Sequence, residues 1–535
     1  MAIIEINDLN FQYYGKKQYA LKNINLEINE GELILLLGRS GSGKSTLIKS
    51  INGLIPNRYE GNYNGDVFVD GLRVKGANLA KLSGIIGTLM QEVGKQLILP
   101  NVEDDVAFGP CNLCLPHEEV KKRVYEALES INSLHLINRD ITELSGGEKQ
   151  RVAIAGVLAM KPKIILMDEP LANLDSEGVR LIQEQIKKLH KDGKTIIVAE
   201  HRAEEILNIG VDRIIIMDNG KIIKETENEE DLLFFSNLIK IPARIFLKDK
   251  EQNIEKIFLP TISKPSIENL AVKFENVFFS YDGRFALKNI NLEIYEGEKI
   301  ALLGNNGAGK STLSKLMLGL LKPTSGRVIL YGMDIRKKEV YEIAPYVGLV
   351  FQDPFNMLFA KTVREELSYG PKNINIPIEE INKRIEETVK SCNIEHLIEY
   401  SPFASSYGEK KRICVGSILT MLPKILILDE PTAGQDYFSY TSFMNFVLSL
   451  KDKVRTFILI THDTDLAIEY SDRTIILADG CIIADGPTRE ILANPENLKK
   501  GKIRETSLVE TGRKLTNGKM LLRMNEIKRL YENFK

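Results

Sequence analysis

Gly38-Arg39-Ser40-Gly41-Ser42-Gly43-Lys44-Ser45-Thr46 decides how this chain is read. Its spacing is G-x-x-x-x-G-K-[ST], a phosphate-binding loop. An apolar run, Leu33 to Leu37, precedes it and predicts a buried strand, while Leu47-Ile48-Lys49-Ser50 after it predicts the start of a helix. Glycines let backbone N–H groups turn inward around phosphate oxygens, and the helix N-terminus adds the positive end of its dipole. Lys44 is placed to reach the β- and γ-phosphates, and the Ser45 hydroxyl to bind Mg²⁺. A Gly/Ser-rich turn with no ligand is the competing reading of one such match. It fails because the motif recurs, after the strand-like Lys299 to Leu303, as Gly304-Asn305-Asn306-Gly307-Ala308-Gly309-Lys310-Ser311-Thr312.

The recurrence belongs to a duplication of most of the chain. Ala20-Leu21-Lys22-Asn23-Ile24-Asn25-Leu26-Glu27-Ile28 returns as Ala286-Leu287-Lys288-Asn289-Ile290-Asn291-Leu292-Glu293-Ile294. Its period-two alternation predicts a half-buried antiparallel strand. Gln91 and Gln352, Asp168 and Asp429, and His201 and His462 are each 261 positions apart, whereas Lys44 and Lys310 are 266 apart. The second copy is therefore five residues shorter between its phosphate loop and Gln352.

In each copy an apolar strand ends in paired carboxylates: Ile164-Ile165-Leu166-Met167-Asp168-Glu169 and Ile425-Leu426-Ile427-Leu428-Asp429-Glu430. Such a strand delivers acids to the carboxyl end of a parallel sheet, where phosphates bind. Asp168 and Asp429 are expected to hold Mg²⁺, and Glu169 and Glu430 to orient or deprotonate the attacking water. Pro116 is expected to begin a helix with Val120, Val124, Ala127, Leu128 and Ile131 on its packed face. Pro377 begins its counterpart, with Ile378, Ile381, Ile385, Val389 and Cys392.

Composition bounds the rest. A chain of 535 residues is too long for one core. A net charge of −2 offers no bulk attraction to nucleic acid or anionic lipid. No apolar run approaches the about 20 residues that span a bilayer, and Met1 to Ile6 enters a strand pattern without the layout of a signal peptide. Five scattered cysteines fit a reducing compartment. Cys111-x-x-Cys114 has no second CxxC to complete a zinc site and reads as two half-buried thiols.

Leu144-Ser145-Gly146-Gly147-Glu148 resembles the signature of the ABC (ATP-binding cassette) ATPases, and the remaining cassette motifs follow in the family's order. The resemblance implies an α/β fold: two tandem ABC ATPase domains, each a P-loop α/β core with an antiparallel β subdomain and a small helical subdomain. It also assigns roles. Tyr13 and Tyr281 match the aromatic that stacks on adenine. Gln91 and Gln352 match the Q-loop and are expected at the metal. Asp175 and Asp436 match the D-loop. His201 and His462 match the switch histidine that contacts the γ-phosphate. ATP and Mg²⁺ are the implied cofactors.

The expected boundaries are 1–235 and 271–498 for the ATPase domains, 236–270 for a linker broken by Pro242, Pro260 and Pro265, and 499–535 for a basic tail. That tail is read as a solvated, partly ordered extension with one helix-like stretch, Met520 to Tyr531.

Within the family, Asn101 to Pro110 and Thr362 to Asn373 are similar to the stretch after the Q-loop in energy-coupling factor (ECF) importers. Ala199-Glu200-His201-Arg202 resembles the first half of that group's fused members. This likeness implies a peripheral ATPase on the cytoplasmic face of the membrane. Its partners would be a transmembrane coupling subunit and a substrate-binding membrane subunit that import a vitamin or transition metal. A fused ATPase of a sugar importer and a soluble twin-cassette protein acting on ribosomes are the rival readings. Gly-Pro after both Q-loops speaks against the first. A short, proline-broken linker speaks against the second.

One departure stands out. The second signature is Ser405-Ser406-Tyr407-Gly408-Glu409. ABC cassettes pair head to tail, so the resemblance sets the Lys310 loop against Ser145, Gly146 and Gly147, and the Lys44 loop against Ser406 and Gly408. Tyr407 is expected to alter the backbone φ there and slow the Lys44 site. A glycine at 407 is expected to narrow the gap between the two sites.

Overall fold

The computed structural model describes residues 2–91, 93–172, 174–247 and 269–533. Most of the expected linker, with Pro260 and Pro265, lies outside them. The chain forms two compact units, Met1–Ile245 with Gly434–Phe438, and Phe246–Ala433 with Ser439–Lys535.

In the first unit the phosphate-loop strand Leu33–Gly38 is buried along its whole length. It occupies the interior of a six-stranded sheet ordered Lys221–Thr226, Arg213–Asp218, Leu33–Gly38, Thr195–Ala199, Ile164–Asp168, Ile86–Leu89. All neighbours are parallel except the first pair. Buried on both faces, such strands read as continuous Ile/Leu/Val runs rather than as alternation. Leu21–Asn29 does alternate: Leu21, Ile24, Leu26 and Ile28 face inward. It pairs antiparallel with Ala2–Tyr13, which also pairs with Gly61–Val69. One apolar core joins this small sheet to the main one.

The second unit repeats the plan. Its main sheet runs Val347–Val350, Ile425–Asp429, Thr456–Thr461, Lys299–Leu303, Arg473–Ala478, Cys481–Pro487, and its small sheet pairs Leu270–Tyr281 with Arg284–Tyr295 and Ser325–Leu330. In each unit the strand before the switch histidine lies between the phosphate-loop strand and the strand bearing the paired acids. This order brings residues far apart in the chain to one sheet edge.

The helices expected after the Q-loops are His117–Ser130, capped by Pro116, and Ile378–Cys392, capped by Pro377. Val120, Val124, Ala127, Leu128 and Ile131 are buried, as are Ile381, Ile385, Val389 and Cys392. Ile378 is instead exposed, because it opens its helix before the packed face begins. Cys111 and Cys114 are also exposed rather than half-buried, lying where the helix Val102–Asn112 ends.

The basic tail is packed. Pro495–Lys500, Ser507–Leu515 and Met524–Asn533 are helices, and Leu508, Val509, Leu521, Leu522 and Ile527 are buried. The Thr506 hydroxyl donates to Asp465 Oδ1 at 2.6 Å, Arg523 Nε donates to the Ile468 carbonyl at 3.1 Å, and Arg489 pairs with Glu526 at 3.1 Å. The expectation of a solvated extension fails because its lysines and arginines outnumber, but do not replace, a short set of core-facing apolar residues. Ala243–Leu247, inside the expected linker, is a helix with Ala243, Ile245, Phe246 and Leu247 buried.

Candidate nucleotide site

Both phosphate loops have the same backbone. Gly41 and Gly307 lie at φ +79°, and Gly43 and Gly309, which cap the helices Lys44–Ile51 and Lys310–Met317, at +110° and +104°. A Cβ at Gly43 would come 2.7 Å from the Ala20 carbonyl oxygen, and one at Gly309 2.8 Å from that of Ala286. Only glycine fits there.

The lysine ammoniums fold back over the loops. Lys44 Nζ donates to the Gly38 and Arg39 carbonyls at 2.8 and 3.0 Å, and Lys310 Nζ to those of Gly304 and Asn305 at 2.6 and 3.0 Å. Burial lowers the Lys44 pKa against the opposing pull of Glu169 and Asp168. Ser42 Oγ and Asn305 Oδ1 are buried in these loops without a hydrogen-bond partner. Buried polar atoms of this kind are ordinarily satisfied, so orphans in a phosphate loop mark where ligand or water binds. Ser40, Asn306 and Ala308 complete the loops. Arg39 donates from Nη2 to the Asn237 carbonyl at 2.6 Å.

The strand Ile164–Asp168 aligns Asp168 with Ala199, so Glu169 emerges beside Glu200 and His201. Ser45 hydrogen-bonds the Asp168 carboxyl, whose Oδ1 is otherwise buried without a partner. Burial chiefly, and then Glu169, raises the Asp168 pKa. Asp429 is pushed to about 6 by burial and by Glu430, with Lys310 and Lys315 opposing. These are carboxylates short of positive charge next to a phosphate loop. With the hydroxyls of Ser45 and Ser311 at the same loops, they make an all-oxygen donor set that suits Mg²⁺.

The two glutamates share an unusual backbone. Glu169 lies at φ +52° and Glu430 at +43°. A non-glycine residue held in this region costs about 1–3 kcal/mol, and such strain gathers at functional sites. Each is pinned by a backbone bond across the sheet, Glu169 N–H to the Ala199 carbonyl at 2.8 Å and Glu430 N–H to that of Ile460 at 2.9 Å.

Their side-chain partners differ. Glu169 is held by His201 Nε2 at 3.0 Å and by Gln91 Nε2 at 2.9 Å. Burial pushes its pKa up, but His201, Lys44 and Gln91 together hold it below the usual value. Glu430 is held by His462 Nδ1 at 2.8 Å and the Thr461 hydroxyl at 3.2 Å. His462 Nε2 is left buried without a partner. Gln91 thus meets the carboxylate cluster at Glu169.

Tyr13 is half-buried, its hydroxyl 3.3 Å from Thr46 Oγ1 and its ring edge-on to Phe11 and Tyr59. Tyr281 is more exposed and meets Phe279 edge-on. Both lie on the small sheets, at the ends of Ala2–Tyr13 and Leu270–Tyr281.

The two signatures have matching backbones. Ser145 caps Gly146–Ala159 at φ −64°, ψ 162°, and Ser406 caps Tyr407–Leu419 at φ −63°, ψ 162°. Glu148 and Glu409 complete the same capping box. Tyr407 does not force a different φ. A Cβ at Gly146 would meet nothing within 4 Å.

Residues that motif reading passed over include Glu200 and Gln150. The Glu200 carboxylate is buried and accepts from the N–H groups of His201 and Leu171, at 2.8 and 3.1 Å, tying the switch histidine to the loop after Glu169. Gln150 Nε2 donates to the Pro170 carbonyl, one residue beyond Glu169. Their counterparts 261 positions on, Thr461 and Lys411, are chemically different. Comparing the copies position by position would have drawn attention to both.

Residues 21–172 and 287–433 each match the ABC transporter family. The chain is 39% identical over 535 residues to a Bacillus anthracis protein provisionally named an ABC transporter ATP-binding protein, covering 95% of this chain and 94% of that one. It is 38% identical over 561 residues to a similarly named protein of Caldanaerobacter subterraneus, covering 98% of each. Among solved structures it is similar to cbiO1 from Clostridium perfringens, described as part of the ABC transporter complex cbiONQ. That match has 38% identity and a TM-score of 0.40, over 44% of this chain and 96% of that one. The chain belongs to the ABC transporter family and carries two of its ATPase cassettes. It is an ATP-binding, ATP-hydrolysing protein.

Proposed function

We propose that the chain energises a membrane importer of the energy-coupling factor type, taking up a vitamin or a transition-metal ion. In each cassette the loop N–H groups and Lys44 or Lys310 hold the phosphates. Ser45 with Asp168, and Ser311 with Asp429, would hold Mg²⁺, which when bound offsets phosphate charge. Glu169 and Glu430 orient the attacking water and accept its proton. His201 and His462 address the γ-phosphate, and Tyr13 and Tyr281 lie against the base.

The observation that carries the importer reading is the pair of strings after the Q-loops. They form the helices Val102–Asn112 and Val363–Asn373. Phe108 on the first, and Tyr369 with Phe359 and Phe355 at the second, are exposed aromatic rings. Such rings suit insertion of a partner helix. Among the described residues no helix is long and apolar enough to cross a membrane, so this reading places the pore and the substrate site on partner subunits. The test is affinity purification of the tagged chain from its native cells, followed by mass spectrometry. Small integral membrane proteins are expected in the eluate. Ribosomal proteins in their place would favour the twin-cassette alternative.

A further inference from the structure

Three positions change together between the two cassettes. Where the first has Gly146, Gln150 and Ile182, the second has Tyr407, Lys411 and Phe443, each 261 positions on. In the second unit these three meet. Lys411 lies on the signature helix Tyr407–Leu419, one turn after Tyr407, and is 2% exposed. Its ammonium lies between two rings, 5.2 Å from the centroid of Tyr407 and 5.6 Å from that of Phe443. Nζ donates to the Pro431 carbonyl at 2.5 Å, one residue beyond Glu430. Gln150 makes the same bond to Pro170 in the first unit with a neutral amide.

A buried ammonium needs compensation, because removing it from water costs far more than burying an amide. One carbonyl cannot supply that. Two aromatic faces can, since a desolvated cation over a ring is attracted by the ring quadrupole. Tyr407 remains 38% exposed, with one side of its ring on Lys411; partial burial, then Asp353 and Cys414, raise its hydroxyl to a pKa of about 12. Burial also pulls Lys411 down to about 8, with Cys414, Asp353 and Glu430 opposing.

We propose that Tyr407 is a positioning residue for its own cassette: its ring covers the Lys411 ammonium, which holds the loop carrying Glu430. The signature variant and the buried lysine are then one coupled change. Glycine alone at 407 uncovers the charge and loosens the Glu430 loop. Glycine at 407 with glutamine at 411 recreates the pair used by the first cassette.

The test compares wild type, Tyr407→Gly and Tyr407→Gly/Lys411→Gln in the full-length chain, measuring steady-state ATP turnover. Tyr407→Gly is expected to lower kcat about three- to thirtyfold, the span from an exposed to a desolvated cation–π contact. KM for ATP should stay within about twofold, since Lys411 acts through Pro431 and touches no phosphate-binding group. Adding Lys411→Gln should raise kcat at least threefold over Tyr407→Gly. Unchanged or increased kcat on Tyr407→Gly, a loss confined to KM, or no recovery in the double variant would each overturn the proposal. If Tyr407→Gly does not yield folded protein by circular dichroism, Tyr407→Leu, which keeps bulk but lacks the quadrupole, is assayed with the same expectations.

Discussion

His201 and His462 occupy equivalent positions yet turn different nitrogens to their glutamates. The Nε2 atom of His201 is taken by Glu169, whereas that of His462 is unpartnered. A ring nitrogen already committed to a carboxylate must break that bond to reach a phosphate, while a free one need not. The Lys310 site is therefore the better prepared of the two, and Glu430→Gln should lower ATP turnover by about 10²-fold or more, the scale of losing a general base. Glu169→Gln should leave a substantial fraction of wild-type rate. Phosphate release measured on both variants checks this ordering, and a larger loss from Glu169→Gln would refute it. Lys44→Ala combined with Lys310→Ala should abolish hydrolysis. Turnover near wild type in that variant would remove both loops from the chemistry. Glycine at 407 is still expected to narrow the gap between the two sites, but by slowing the Glu430 site through Lys411.

At the scale of elements, the tail helices are bound to the helix Thr464–Tyr470, which directly follows the switch histidine. Asp465, Ile468 and Glu469 of that helix each take a hydrogen bond from Thr506, Arg523 or Met524. Deleting residues 501–535 would expose that helix together with the Leu, Val and Ile side chains it packs against. Each fully buried side chain of that size contributes about 1.5–3 kcal/mol, so the deletion should cost several kcal/mol, read as a lower thermal midpoint. Thr506→Ala removes both a helix cap and the bond to Asp465 and should cost about 1 kcal/mol. A truncated chain that melts with the full one would mean that the tail is not part of the second unit's core.

For the molecule as a whole, the importer reading predicts where the chain is found. Co-expressed with its membrane subunits, it should sediment with membranes and be released when protein contacts are disrupted. Recovery entirely in the supernatant under those conditions would count against that reading. Variants that replace Phe355 and Phe359 by serine should weaken that association while leaving ATP binding intact, since neither residue lies in a phosphate loop.

Much of this was legible in the chain itself. The phosphate loops, paired acids, switch histidines and signatures are short strings whose chemistry is local, and the duplication places each in register with its copy. Buried parallel strands and the alternating strand Leu21–Asn29 were readable for the same reason: burial on one or both faces leaves a periodic trace. Tertiary structure alone decided what depends on which side chains meet. No periodicity reports that the tail's few apolar residues find a surface on the second unit, because composition averages them away among lysines and arginines. Nor does a motif reveal that the Tyr407 ring leans on the Lys411 ammonium. The string Ser405-Ser406-Tyr407-Gly408-Glu409 reads as a damaged signature. Only the packing of Lys411 between two rings, with its ammonium on the Pro431 carbonyl, turns the substitution into part of a compensated site, because a buried charge is satisfied by neighbours in space rather than in sequence.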